Sequence, residues 1–403
     1  MDAYVLDWVN LLLRWLHVIV AIAWIGSSFY FVFLDNSLTP PVDEDLRRKG
    51  VDGELWAVHG GGFYHPQKYL VAPRSLPSNL HWFYWESYST WLTGFALFTV
   101  MYLFNAGTYL IDKSVLDWSP AAAVATALAF LVAFWLVYDF TCRWVGERAG
   151  QVGGDRTVAL VVCAVVVLAS WLACQWFAGR AAFLLVGAML ATAMSANVLF
   201  WIIPGQKKVI AQMRAGQTPE AIHGQRGKQR SVHNTYFTLP VLLAMLSNHY
   251  GWLVQGRWNW LVLVALMLAG AMIRHSFVAR HKALVRGQRV PWEWAMAGVV
   301  VIVGVIVALA PAARPSAGAP SGEPKPVTFT QVQAVIEQRC IVCHNAQVQQ
   351  KNVALHTEAL VRQHAQAVYQ QVAVLRLMPM NNATQITEDE RALVRRWFEQ
   401  GAP

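Results

Sequence analysis

The sequence predicts an all-α membrane protein: an eight-helix transmembrane bundle followed by a small helical domain outside the bilayer. Three observations predict it. The 403 residues are 56% hydrophobic and only 14% charged, with 19 Trp, a balance too apolar for an ordinary soluble enzyme. The apolar residues fall into windows of the ~20 residues that a helix needs to cross a hydrocarbon core of roughly 30 Å. Those windows end before a stretch rich in Pro, Gly, Ala and Ser, and none follows it.

The windows run over 9–34, 79–104, 119–140, 158–177, 181–203, 233–250, 258–279 and 292–312. The first reads as a retained span and not a cleaved signal, because Asp2 and Asp7 precede it in place of a basic run and no small-residue cleavage site follows. Basic residues are sorted between the loops. Arg47, Arg48, Lys49, Lys68 and Arg74 follow span 1, and Arg143, Arg148 and Arg156 follow span 3. Lys207, Lys208, Arg214, Arg226, Lys228 and Arg230 follow span 5; Arg274, Arg280, Lys282, Arg286 and Arg289 lie at and after the end of span 7. The alternate loops hold only Lys113, Arg180 and Arg257. By the positive-inside rule the basic loops are cytoplasmic, so both termini are expected outside, in the periplasm if the membrane is a bacterial inner membrane. The net charge of +9 is then a signal of topology and of a lipid bilayer as partner, not of nucleic acid.

Three regions follow: an integral membrane domain over 1–312, a Pro/Gly/Ala linker over 313–326 and a soluble domain over 327–403. The last opens on "TFTQVQAVIEQR", with Val332, Val335 and Ile336 at helical spacing. It closes on "TEDERALVRRWFEQG", where Thr387 and Glu390 stand in capping-box register and Leu393, Val394, Trp397 and Phe398 form one apolar stripe. Two helices bracket "EQRCIVCHNAQ".

Cys340, Cys343 and His344 have the spacing of a c-type haem attachment site, two thioethers and a proximal imidazole, so 327–403 reads as a class I cytochrome c domain. A disulfide across two intervening residues would be strained, and zinc would want two further Cys or His at comparable spacing. The sixth ligand should be a thioether from "RLMPMNNAT"; Met378, immediately before a proline, is favoured over Met380, and either can instead fill the core. Cys142, Cys163 and Cys174 read as small apolar core residues.

The spans also hold imidazoles, which the topology sorts by depth. His17 and His249 lie toward the outer face and are the candidate axial ligands of a haem b in the membrane domain. On one straight helix His233 and His249 would be about 24 Å apart and rotated by roughly 160°, with Pro240 between them. His81, His233 and His275 lie toward the cytoplasmic face, where Glu86, Asn79, Asn197, Asn234 and Arg274 join them. The preceding loop, "HGGGFYHPQKYLVAPR", adds His59, His65, Lys68 and Arg74 on a Gly- and Pro-punctuated backbone. Such surroundings suit a planar anion with amide edges. His65, Lys68, Arg74, Asn79, Asn234 and Arg274 would bind it, and His81, Glu86, His233 and His275 are the candidate catalytic groups. Taken singly, each loop residue also fits the solvated edge of a positive-inside loop.

The chain resembles the membrane-bound, cytochrome c-coupled urate oxidases, or urate hydroxylases, of proteobacteria. The resemblance rests on "RWLHVIVAIAWIGSSFYFVFLDNSL", "GGGFYHPQKYLVAP", "HNTYFTLPVLLAMLSNHY", "CIVCHN" and "MPMNNAT", and so covers nearly the whole length. It implies oxidation of urate to 5-hydroxyisourate with electrons passing to the haem c domain and not to oxygen. A soluble cytochrome c or a terminal oxidase would be the onward acceptor. His17 followed by Trp24, Ile25 and Gly26 is also similar to the first helix of small membrane proteins that hold haem b. The competing reading is a haem-bearing membrane anchor that relays electrons from a partner dehydrogenase or quinol to a cytochrome c. A subunit of an oxygen-reducing oxidase fits less well, since no span carries an adjacent His pair for copper.

Overall fold

The structure is a computed structural model that describes residues 2–69, 72–148, 150–310 and 326–403. The expected linker lies outside the described residues except for its last position, as do the last two residues of the eighth window. Helix α1 (Asp2–Ser37) is followed by α2 (Glu44–Lys49), which starts where the Asp43 carboxylate accepts the Asp45 N–H. Short strands β1 (Val51–Glu54), β2 (Ala57–His59), β3 (Gly62–Tyr64) and β4 (Gln67–Tyr69) then form two antiparallel pairs, β1 with β4 and β2 with β3.

Helix α3 (Trp85–Phe98) continues as a π-turn over Thr99–Leu103 and leads to α4 (Ala106–Tyr109). Ser119 caps α5 (Pro120–Trp144) through the Ala122 N–H, with proline at the first helical position where its missing N–H costs nothing. A two-residue hairpin, β5 (Glu147–Arg148) with β6 (Gln151–Val152), leads to α6 (Asp155–Trp176). Helix α7 (Gly179–Asn197) runs through a π-turn over Val198–Ile202 into α8 (Ile203–Arg214). The last three helices of this part are α9 (Ala221–Leu246), α10 (Asn259–Val285) and α11 (Glu293–Ala308).

Each of the eight apolar windows is helical over most of its described length. Among the described residues five helical segments are long and apolar enough to cross a membrane: Tyr4–Ser37, Pro120–Trp144, Asp155–Trp176, Gly179–Arg214 and Asn259–Val285. The other three fall short for local reasons. Helix α9 carries Arg226, Lys228 and Arg230 in its first half, α11 has 16 residues, and α3 has 14 before its π-turn. These elements are compatible with a membrane protein.

Helix α7 is the centre of the bundle. Ala181, Ala182, Phe183, Leu185, Val186, Met189, Leu190 and Ala193 are all buried, so the helix is apolar all round because neighbours surround it. It packs against α5, α6 and α9, while α10 joins α9, α11 and α1. Helix α9 keeps one helical course through Pro240, and His249 falls beyond its end in a 3-10 turn over Ser247–His249. The straight-helix arithmetic for His233 and His249 therefore does not apply.

The C-terminal unit begins with α12 (Phe329–Arg339), which a Thr328/Gln331 capping box starts. It continues through α13 (Glu358–Gln363) and α14 (Ala365–Val368) to α15 (Glu388–Glu399). The Thr387/Glu390 capping box forms as its spacing predicts. Burial pushes the Glu390 carboxyl up, but the Thr387 N–H and the Arg339 guanidinium outweigh it and hold it below its ordinary range. Val332, Val335, Ile336, Val394 and Trp397 form the unit's core, joined by Cys340. The unit sits against the loops that are poor in basic residues: the Asn381 amide donates to the Thr108 carbonyl at 2.6 Å, and Gln255 donates to the Arg376 carbonyl at 3.2 Å. A Cβ at Gly251 would lie 3.0 Å from the Leu375 carbonyl oxygen and 2.5 Å from Leu377 Cδ2, so glycine is what lets the two parts meet.

Candidate functional site

A cavity of about 1420 Å³, lined mostly by apolar side chains, runs between α1, α3, α7 and α9. That is more than one drug-sized ligand needs, roughly 300–1,000 Å³. Its basic end is lined by Asp35, Lys68, His81, Glu86 and Lys228. Its opposite, docking end is lined by Arg14, Tyr102, Arg180, His249 and the C-terminal unit's Met380 and Asn381. His17 lies between the two ends.

The surroundings of His17 fix its tautomer. The Thr93 hydroxyl donates to the Ser89 carbonyl at 2.7 Å, so it accepts from His17 Nδ1–H at 3.0 Å, which leaves the Nε2 lone pair free to ligate. Gly94 makes room for the ring, since a Cβ there would lie 2.9 Å from His17 Cε1. His249 is exposed on its 3-10 turn and lines the same cavity.

At the basic end both Lys68 and Lys228 bond to the Asp35 carboxylate, two cations on one anion. Burial, and then the neighbouring Lys228, hold the Lys68 ammonium below its usual range. Such a mouth carries a surplus positive charge and favours entry of an anion. A second, open cavity of about 1030 Å³ shares His81 and Trp82 with the first and adds Asn79, Lys207 and Arg214.

Arg274 is 6% exposed, with its guanidinium 3.6 Å from the Phe29 ring centre and its Nε and Nη2 atoms buried without a hydrogen-bond partner. A buried cation without a partner is costly, and a bound anion would relieve it. The next residue, His275, pairs through Nδ1 with the Tyr236 hydroxyl at 2.8 Å, and Tyr236 lines the large cavity. Asn234 lines it too, although its side chain is engaged by Asn197 and by the Met194 carbonyl.

Other expected site residues stand elsewhere. His233 is absent from the cavity lining. Its Nδ1 meets the Tyr138 hydroxyl at 2.8 Å in a polar cluster with Asn197 and Arg230, whose guanidinium donates to Asp139 at 2.9 Å. His65 stacks on Trp56 with ring centres 4.1 Å apart and bonds to Glu54 at 2.6 Å. The Val42 N–H, and then His65, hold that carboxyl below its ordinary range. Arg74, Arg274 and His275 are not among the residues lining either cavity; Arg274 and His275 stand behind Tyr236, which does line the larger one. Sequence reasoning did not single out Arg14, Asp35, Arg180 or Lys228. The available signal was a charged side chain inside or at the end of an apolar window.

In the C-terminal unit Cys340 is buried, Cys343 is exposed, and the two thiols are not bridged. The His344 N–H and Cys343 N–H both reach back to the Cys340 carbonyl at 3.1 Å, which folds the motif into one turn. His344 Nδ1–H donates to the Val353 carbonyl at 3.0 Å, so Nε2 is the nitrogen available to a metal. Met378 packs on the core that contains Cys340, whereas Met380 faces the large cavity. Among the described residues no group of three or more His, Cys, Asp or Glu is arranged to hold a bare metal ion. Two adjacent thiols and one oriented imidazole fit a covalent haem better than zinc.

A family model described as urate oxidase N-terminal matches residues 3–310. No curated protein and no solved structure matches the chain.

Proposed function

The chain belongs to the urate oxidase N-terminal family, which points to an oxidoreductase acting on urate, and on that premise we propose an integral-membrane urate oxidase (urate hydroxylase) that empties its electrons into its own C-terminal haem c. The single observation that carries this reading is the continuity of the large cavity from the Lys68/Lys228 mouth to Met380 of the CxxCH unit. The overall chemistry is urate plus water giving 5-hydroxyisourate, two electrons and two protons.

Urate would enter as an anion from the basic end. The surplus charge over Asp35 draws it in, and Arg274, which stands outside the lining behind Tyr236 with two unpartnered nitrogens, is the buried cation we assign to one of its oxygens. Glu86 and His81 line the cavity and are the candidate bases, with Tyr236 backed by His275 as a further proton acceptor at the Nδ1 atom. His233 is hydrogen-bonded away from the lining, which suits a positioning role for Tyr138 and Asn197.

Cys340 and Cys343 would carry the haem c thioethers, and His344 and Met378 would hold its iron. When bound, such a haem supplies a one-electron acceptor whose potential Met/His ligation raises. His17 and His249 would hold a haem b in the membrane domain, because a cavity that spans the bundle is too long for a single electron transfer. The contact of the CxxCH unit with the loops poor in basic residues fits both termini lying in the periplasm of a bacterial inner membrane. A soluble cytochrome c or a terminal oxidase would take the electrons onward.

The test is anaerobic addition of urate to the purified full-length chain. Loss of urate absorbance together with growth of the reduced c-type α-band is the expected result, and Cys340→Ala should remove the band. A chain that dithionite reduces and urate does not would be the relay of a partner dehydrogenase or quinol.

A further inference from the structure

We infer that Arg180, at the docking end of the large cavity, is the anchor for a carboxylate of the porphyrin that His17 and His249 would hold, with Arg14 as the second cation. The inference rests on the haem b reading above. Arg180 stands in the first turn of α7, where the helix dipole adds to its charge. Its Nη2 atom is buried with no hydrogen-bond partner, and the side chain lines the cavity. Gly251 closes over it, since a Cβ there would lie 3.2 Å from that nitrogen.

Among the described residues no salt bridge or side-chain hydrogen bond joins Arg180 to a carboxylate. Among the described residues the acidic side chains lining the cavity are Asp35, which Lys68 and Lys228 already engage, and Glu86. Glu86 stands in the first turn of α3 at the basic end, and Tyr102, beside Arg180, lies 16 residues further on, about 24 Å of helical rise. Among the described residues Arg14 also pairs with no acid: its Nε donates to Asn10 and its Nη2 reaches Met101 Sδ at 2.8 Å. Two guanidiniums in an apolar bundle with no anion of their own call for one from a ligand.

The lining selects the ligand class. Around His17 and from it toward these cations the lining includes Trp91, Phe95 and Phe98, a surface for a large flat apolar body and not for a small polar anion. A porphyrin with two carboxylates matches a wall of aromatic rings, two imidazoles and two guanidiniums. Urate bound at this end, or a lipid phosphate, would use the same cations but would not depend on the imidazoles.

The experiment compares the full-length chain with Arg180→Leu and Arg180→Lys, purified in detergent. The readouts are the ratio of b-type to c-type α-bands after gel filtration and the midpoint potential of the b-type band. Arg180→Leu should weaken haem b retention by about tenfold or more, the loss of one charge-assisted hydrogen bond. Whatever haem b remains should have a lowered potential, because an unopposed carboxylate favours the ferric state. Arg180→Lys should recover most of the retention, and an unchanged c-type band serves as the control for folding.

A native chain with a b-type band that Arg180→Leu leaves unchanged in amount and potential overturns the inference alone. If that variant keeps its haem b but raises the KM for urate, the anion is the substrate and the inference is likewise overturned. Retention restored by anionic phospholipid and insensitive to His17→Ala would assign the site to lipid against the inference. A native chain with no b-type band overturns the haem b reading itself.

Discussion

Arg274→Leu is expected to lower kcat/KM for urate by about a hundredfold or more while leaving the protein as stable as before, or more stable. The two effects have one cause. The Arg274 guanidinium is buried with Nε and Nη2 unpartnered, so the folded chain bears its desolvation cost without a compensating bond. Leucine removes that cost and keeps apolar contact with Phe29, which lies under the guanidinium. An anionic substrate loses a desolvated charge pair, an effect of roughly 2–5 kcal/mol. A purely structural arginine would behave oppositely, with its loss lowering the melting temperature. Thermal unfolding and steady-state kinetics on the same preparation separate the two. Unchanged urate kinetics would remove Arg274 from the substrate site.

The second large effect is expected at His17. His17→Ala should abolish the b-type α-band, leave the c-type band at full height after dithionite, and slow urate-driven reduction of the c-type band by orders of magnitude. The geometry behind this is the tautomer: Thr93 accepts from Nδ1, so Nε2 alone is free toward the cavity. Thr93→Val is a milder companion. It leaves the imidazole but removes its orienting acceptor, and losing the partner of a ligand's other ring nitrogen typically weakens metal binding about 10- to 100-fold. A b-type band that survives His17→Ala intact would move the ligand elsewhere.

What was legible in the sequence was what is local in it. Cys340, Cys343 and His344 lie within five consecutive positions, and the Thr387/Glu390 capping box within four, so spacing alone carried them. The apolar windows were legible for the same reason, since helix hydrogen bonds close within a segment. Pairings across the chain were not. Asp35 meets Lys68 and Lys228, which stand 33 and 193 positions away, and no periodicity announces such a triad. The strands β1 to β4 have three or four residues each, too few for alternation to register, so 51–69 read as a loop.

The histidines show both sides of this. Depth sorting grouped His17 with His249 and set His81 apart; all three line the large cavity, His81 at its basic end. It could not separate His81 from His233, because the distinction depends on which helix face meets Tyr138. Arg180 counted in the sequence only as a rare basic residue in an outer loop. Its half-buried place at the start of α7, with an orphaned nitrogen, gives it a further meaning.

The claim that the substrate end and the CxxCH unit are joined through one cavity is tested most directly by rapid anaerobic mixing of the full-length chain with urate, following the b-type and c-type α-bands together. The account predicts that the b-type band rises first and the c-type band follows from it, with two electrons recovered for each urate consumed. A c-type band that rises with no b-type intermediate, or urate loss that requires oxygen and yields hydrogen peroxide, would contradict it.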